Sequence, residues 1–112
     1  MLTYTSEQVI NKAAADLGRY VPGEALGPVE HDTLSIALDQ VLAEISKIIA
    51  INDRDEVPAV AFECVAVLTA MFASSAFSNV PYNKEAVEQV ERRLRYLIAQ
   101  MPTYEPLVAF YF

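Results

Sequence analysis

The sequence predicts an all-α protein: a small four-helix bundle with an extended aromatic C-terminal tail. Apolar residues recur at helical spacing in four segments, and clusters of turn-forming residues separate those segments. The chain has 112 residues, of which 54% are hydrophobic, so it suits one folded domain with one core. We expect the helical domain to cover residues 1–101 and the tail to cover residues 102–112.

The first helix is predicted to begin after Thr5. Thr5 and Gln8 have the spacing of a capping box, in which the side chain of each satisfies a backbone N–H group of the other. One apolar face follows at helical spacing, and Gly18 is a natural stop. That face consists of Val9, Ile10, Ala13, Ala14 and Leu17.

The second helix is predicted between about Val29 and Ala50. Its apolar residues step by 4, 3, 4 and 3 positions, which indicates a seam that packs against another helix. The seam consists of Leu34, Leu38, Val41, Ile45 and Ile48. The stretch "INDRDEV" then breaks the pattern with turn-forming residues.

The third helix is predicted from Pro58 to Ser78, with Pro58 in its first turn. Glu63 is its only charged residue, so we expect this helix to be central and buried. Glu63 either pairs with a cation, within the chain or across a subunit boundary, or lies on a small exposed strip. The candidate partners are Arg19, Lys47 and Arg54.

The fourth helix is predicted to follow Asn83 as its cap and to end before Pro102. Its apolar seam steps by 3, 4, 3 and 4 positions and consists of Val87, Val90, Leu94, Leu97 and Met101. Three arginines, Arg92, Arg93 and Arg95, lie toward its C-terminal end. They could contact phosphate groups, form a solvated face, or make ion pairs with acidic residues of a neighbouring subunit.

The tail "PTYEPLVAFYF" has no helical periodicity, and its two prolines favour an extended path. It forms either a strap over the protein's own core or an anchor that fills pockets on a partner. The candidate anchor residues are Tyr104, Leu107, Val108, Phe110, Tyr111 and Phe112.

Residues that could carry chemistry are few, and we predict no enzyme and no cofactor or metal site. His31 between Glu30 and Asp32 could suggest a metal ligand, but the three residues also suit the start of a helix. The acidic run after Ile51 lacks the glycine of a calcium loop and is interpreted as a solvated turn. Cys64, the single cysteine, is expected to be buried and inert.

The net charge of -7 argues against a nucleic-acid reader that neutralises phosphates and against binding to an anionic membrane surface. The N-terminal residues lack a basic region followed by an apolar run, so no signal peptide is predicted.

The order of these features resembles the head-to-tail adaptor, or connector, proteins of tailed phages. A capped helix reads "TSEQVINKAAADLGRY", and an acidic helix reads "HDTLSIALDQVLAEI". An apolar helix opened by proline and a charged last helix follow. From Thr5 to about Met101 the chain is similar to the tail accessory factors, or packaged-DNA stabilisation proteins, of short-tailed phages.

This resemblance implies a structural subunit that acts in the virion, at the head-to-tail interface, after assembly in the host cytoplasm. Such subunits form rings, commonly dodecamers, between the portal ring and a tail or nozzle protein. The ring extends the channel through which double-stranded DNA passes without sequence-specific binding, and it helps to retain packaged DNA. The resemblance implies no cofactor and no membrane partner, and it makes the portal, the tail or a neighbouring subunit the expected site for the aromatic anchor.

Two other interpretations remain open. One is a small regulatory module that docks a partner helix in a groove. The other is a membrane-active lysis factor built on the third helix, which is long enough to span a bilayer.

Overall fold

In the computed structural model, residues 2–18, 26–78 and 83–100 are described, and within them four α-helices form one bundle. This confirms the predicted all-α fold. Residues 101–112, which include the predicted tail, lie outside the described residues. The helices are α1 (Ser6–Asp16), α2 (Pro28–Glu44), α3 (Ala59–Ser78) and α4 (Lys84–Ala99).

Helix α1 begins as its sequence predicts. The Gln8 amide donates to Thr5 Oγ1 at 3.3 Å, and the Thr5 amide donates to Gln8 Oε1 at 2.8 Å. Gly18 has a φ of 71°, a left-handed conformation that glycine adopts without the steric cost of a Cβ atom. Both ends of α1 are therefore set by local residue chemistry.

Helix α2 is shorter than predicted, because the α-helix ends at Glu44 and a 3-10 turn covers Ile45–Lys47. The predicted seam is nevertheless the buried face, and only its last member, Ile48, is half-buried. The fully buried members are Leu34, Leu38, Val41 and Ile45.

A two-stranded antiparallel ladder joins the N-terminus to the start of α3. Strand β1 (Thr3–Tyr4) pairs with strand β2 (Val57–Pro58), and the Ala59 amide donates to the Leu2 carbonyl at 3.1 Å. Pro58 therefore belongs to β2, one residue before the helix in which it was expected. The Tyr4 ring stacks on Phe62 with 4.1 Å between ring centroids, so the ladder continues into the packing of α3.

Helix α3 lies at the centre of the bundle and packs against α1, α2 and α4. Small buried residues let the other helices approach closely, and the Thr69 hydroxyl is satisfied by the Val65 carbonyl at 2.7 Å. The helix is not buried all round, since Glu63 is exposed. Its buried small residues are Ala61, Cys64, Ala66, Thr69, Ala70 and Ala73.

Helix α4 packs mainly on α3. Asn83 caps it, with its side-chain oxygen accepting from the amides of Glu85 and Ala86 at 3.0 and 3.3 Å, as predicted. Val87 and Leu94 are buried, and two further members of the predicted seam, Val90 and Leu97, are half-buried. The last member, Met101, lies outside the described residues.

Candidate interaction surface

The exposed face of α4 carries cations that have no carboxylate partner within the described chain. Arg92, Arg93 and Arg95 are all exposed and make no ion pair there, and neither does Lys84 at the start of the helix. The contact of Arg92 Nε with the Glu88 carbonyl is long, at 3.5 Å. Arg92, Arg95 and Lys84 are therefore available to a partner.

The other described lysines and arginine are all paired. Lys12 lies 2.7 Å from Asp16, Lys47 lies 3.0 Å from Glu44, and Arg54 lies 2.8 Å from Asp39. Carboxylates outnumber cations in this acidic chain, so its composition does not explain why arginines are unpaired. The position of α4 explains it.

Tyr96 is 64% exposed and lies on the same side of α4 as Arg92 and Arg95. Residues three and four positions apart share a helix face, so these three side chains form one patch opposite the buried Leu94. We call Arg92, Arg95 and Tyr96 the arginine patch. Arginine and tyrosine are the side chains enriched where protein interfaces concentrate their binding energy.

Arg93 points to the other side of α4, next to Cys64. Burial raises the pKa of the Cys64 thiol, the Arg93 charge partly lowers it, and Glu63 raises it further. Cys64 is 2% exposed, as expected, and the thiol stays protonated at neutral pH.

Glu63 lies on an exposed strip, which is one of its two predicted environments. Its side chain is 57% exposed, and its Oε1 atom lies 3.8 Å from Lys12 Nζ. Lys47 and Arg54, two of the expected partners, pair with other acids, while Arg19 lies outside the described residues. The exposed carboxylate could still contact a neighbouring subunit.

Glu91 is a buried carboxylate that sequence reasoning missed. The residue is 8% exposed, and its carboxylate lies 3.1 Å from Lys47 Nζ, which links the 3-10 turn after α2 to α4. Hydrogen bonds to Glu44 and then to Glu91 raise the pKa of Lys47. Helical spacing is the sequence feature that could have indicated this burial, because Glu91 lies on the same face of α4 as Val87 and Leu94.

The 51–58 segment is tied to α1 and α2 by polar contacts. Asp55 Oδ1 accepts from the Ser6 hydroxyl at 2.6 Å and from the Ser6 amide at 3.1 Å. These hydrogen bonds hold the pKa of Asp55 below its usual range. Asp53 Oδ1 accepts from the Asp55 amide at 2.9 Å, a contact typical of the predicted turn.

His31 contacts α1 rather than its own acidic neighbours, since its Nε2 atom lies 2.7 Å from Glu7 Oε1. Among the described residues, no group of three or more histidine, cysteine, aspartate or glutamate side chains could hold a metal ion.

Helix α2 presents a second exposed face that is apolar and acidic. Val29 is 73% exposed and Ile36 is 55% exposed, although both are large aliphatic residues. Asp32 and Gln40 are exposed beside them at helical spacing. We call Val29, Asp32, Ile36 and Gln40 the α2 outer face. Ile36 also borders a groove of about 330 Å³ between α2 and α3, lined in part by Thr33, Ala37 and Ala76.

The predicted anchor residues of the tail, Tyr104 to Phe112, lie outside the described residues.

Helix α3 contains a stretch, Ala59–Phe77, that is long and apolar enough to cross a membrane, with a mean hydropathy of 1.8. Core helices of soluble proteins have the same property, and in this bundle α3 packs against three other helices.

Comparisons with family models, curated proteins and solved structures found no match to this chain.

Proposed function

We propose that this protein is a structural component of a tailed-phage virion, a head-to-tail adaptor whose copies form a ring between portal and tail. The ring extends the DNA channel and helps to retain packaged DNA. The observation that carries the proposal is the arginine patch, a cationic and aromatic surface whose arginines have no carboxylate partner among the described residues of an acidic chain. Such a surface suits contact with other protein subunits, and the sequence resemblance supplies the class of assembly.

Charge is unevenly distributed along the described chain, which supports assembly from unlike faces. The described residues up to position 58 include nine acidic and three basic side chains, whereas residues 59–100 include four of each. From Arg92 to Gln100 there are three arginines and no acid. Opposite charges on different parts of one subunit favour contact between neighbours in a fixed orientation.

The acidic majority suits a wall past which DNA moves. The chain carries a net charge of -7, and like charge repels the phosphate backbone, so DNA could slide without being held. In this role the carboxylates of the α1–α2 side need no specific nucleotide contact.

The C-terminal tail and four exposed charged residues each have a role in the proposed assembly. Glu63, Arg92, Arg93 and Arg95 form ion pairs between subunits. The C-terminal tail of the chain anchors the ring on the portal, on the phage tail or on a neighbouring subunit by inserting aromatic side chains into pockets. Its anchor residues are Tyr104, Leu107, Val108, Phe110, Tyr111 and Phe112.

Light scattering coupled to size-exclusion chromatography tests this function on the protein alone and mixed with the portal protein of the same phage. We expect the mixture to elute as one complex heavier than the portal ring. Persistent separate elution of portal and monomer would contradict the proposal.

A chain ending at Met101 should stay folded and bind the portal more weakly. Unchanged binding would show that the C-terminal tail does not contribute to portal binding.

The groove between α2 and α3 supports a second candidate, a regulatory module that docks a partner helix. This candidate predicts a complex with one partner chain in equal amounts and no ring, so the mass of the complex distinguishes the two functions.

A further inference from the structure

We propose that the arginine patch of one copy docks on the α2 outer face of the next copy, in a head-to-tail contact. This inference rests on the proposed assembly of copies into a ring and specifies which two faces meet. The occupant of the α2 outer face is thus a second copy of this chain.

The two faces are complementary in charge. Arg92 and Arg95 have no carboxylate partner within the described residues, and Asp32 is exposed and makes no ion pair there. Asp39, at the edge of the α2 outer face, is 61% exposed even though Arg54 occupies one of its oxygens. Two arginines can therefore meet two acids without breaking the internal pair.

The two faces are also alike in carrying exposed apolar side chains next to charged ones. Tyr96 is exposed beside Arg92, and Val29 and Ile36 are exposed beside Asp32. Together they are three of the four large hydrophobic side chains that are exposed in the described chain, and the fourth is Leu2. Contact would bury these apolar side chains and bring the arginines next to the acids, and typical protein interfaces likewise combine buried apolar groups with polar ones.

One copy can offer both faces at once. Helices α2 and α4 each pack on α3 and share little contact with one another, so neither face covers the other. A contact of each face with itself would place arginines against arginines and acids against acids, which is repulsive. Contact between unlike faces repeats from copy to copy and closes into a ring when the rotation allows it.

Cysteine cross-linking of the full chain tests the contact, on the free protein at high concentration and on its mixture with portal. We would make Ile36→Cys and Tyr96→Cys separately and together, with the native chain as the control, since its Cys64 is buried. A short bifunctional maleimide should convert the double variant into a ladder of oligomers. The mixed single variants should give one heterodimer, and each single variant alone should give no dimer.

Charge reversal sharpens this test. Arg92→Glu with Arg95→Glu should lower the cross-linked yield by about tenfold or more, because like charges then meet across the contact. Adding Asp32→Arg to the same chain should restore part of that yield. All three sites are exposed, so the unfolding midpoint should not change, and Lys84→Glu serves as a matched reversal outside the patch.

Dimers from either single variant, or no 36–96 cross-link in either sample, would overturn the inference. A portal complex that forms without 36–96 cross-links contradicts this contact and leaves the adaptor function standing. A 36–96 ladder without portal binding supports the contact and contradicts the adaptor function.

Discussion

The α1–α2 side of the molecule and helix α4 use their charged residues in opposite ways. On the α1–α2 side, polar groups form hydrogen bonds with one another. Ser6 donates to Asp55, and Arg54 donates to both Asp39 and Ser35. On α4, Arg92 and Arg95 are exposed and have no carboxylate partner in the described chain. Polar groups that are satisfied internally contribute to the fold, and those left unpaired remain for binding.

The two regions also differ in how they are attached to α3. The α1–α2 side adds a β-ladder and several polar contacts to its apolar packing. Helix α4 depends on Val87, Leu94 and half-buried neighbours, with Glu91–Lys47 as its one ion pair to another element in the described chain. Damage to α4 should therefore be less well compensated.

Leu94→Ala should have the largest effect. Leu94 is fully buried, and removing its side chain leaves a cavity between α4 and α3, so we expect the free energy of unfolding to fall by about 3 kcal/mol. Urea denaturation followed by circular dichroism measures this. Leu97→Ala is the matched control at a half-buried site and should cost less, and an equal cost would contradict the packing described for α4.

Glu91→Gln should come next, with a smaller loss than Leu94→Ala, because it removes the charged hydrogen bond that the buried Glu91 makes to Lys47. Glu44→Gln removes the other, exposed carboxylate from the same lysine and should cost well under half as much. Chemical denaturation of both variants measures the difference. Equal losses would mean that the buried position of Glu91 adds nothing.

Removal of the helix caps compares the two regions directly. Thr5→Ala and Asn83→Ala each leave N–H groups of a first helical turn unsatisfied and should each cost about 1 kcal/mol. Hydrogen exchange should locate the fraying in α1 for the first variant and in α4 for the second. Fraying of α4 in the Thr5 variant would show that the two regions do not open separately.

The Ser6–Asp55 contact predicts the smallest effect, a change in the pH dependence of stability. The pKa of Asp55 is lowered from 3.8, so the contact stabilises the fold above that pH and is lost as pH falls through the lower folded value. Asp55→Asn should thus lose more stability at pH 6 than at pH 3, as measured by thermal unfolding. Glu56→Gln, in the same segment, is the control, and an identical pH profile for the two variants would contradict the assignment.

Local chemistry made much of the fold predictable. The capping box at Thr5, the cap at Asn83 and the glycine stop at Gly18 each depend on residues a few positions apart. The α2 seam was predictable because burial follows helical spacing. The end of α2 was not predictable. The chain changes there from an α-helix to a 3-10 turn while Ile45 stays buried, so the pattern of buried residues does not mark the change.

Contacts between distant segments were not predictable. Strands β1 and β2 are two residues long, so they show no alternation, and their pairing depends on tertiary structure. The ion pair of the buried Glu91 is likewise a tertiary contact, because Lys47 lies in the 3-10 turn that follows α2. For the interaction surface, the three arginines were visible in the sequence. Only the fold shows that Arg92 and Arg95 have no carboxylate partner among the described residues and that Val29 and Ile36 form a second exposed face.

Native mass spectrometry of this chain mixed with the portal protein measures whether copies of the chain assemble on a portal ring. We expect the portal ring to gain a fixed number of copies of this chain, and we expect the Arg92→Glu, Arg95→Glu chain to add fewer copies or none. Glu56→Gln should bind like the native chain. A portal ring that keeps its own mass beside monomeric native chain would contradict the account.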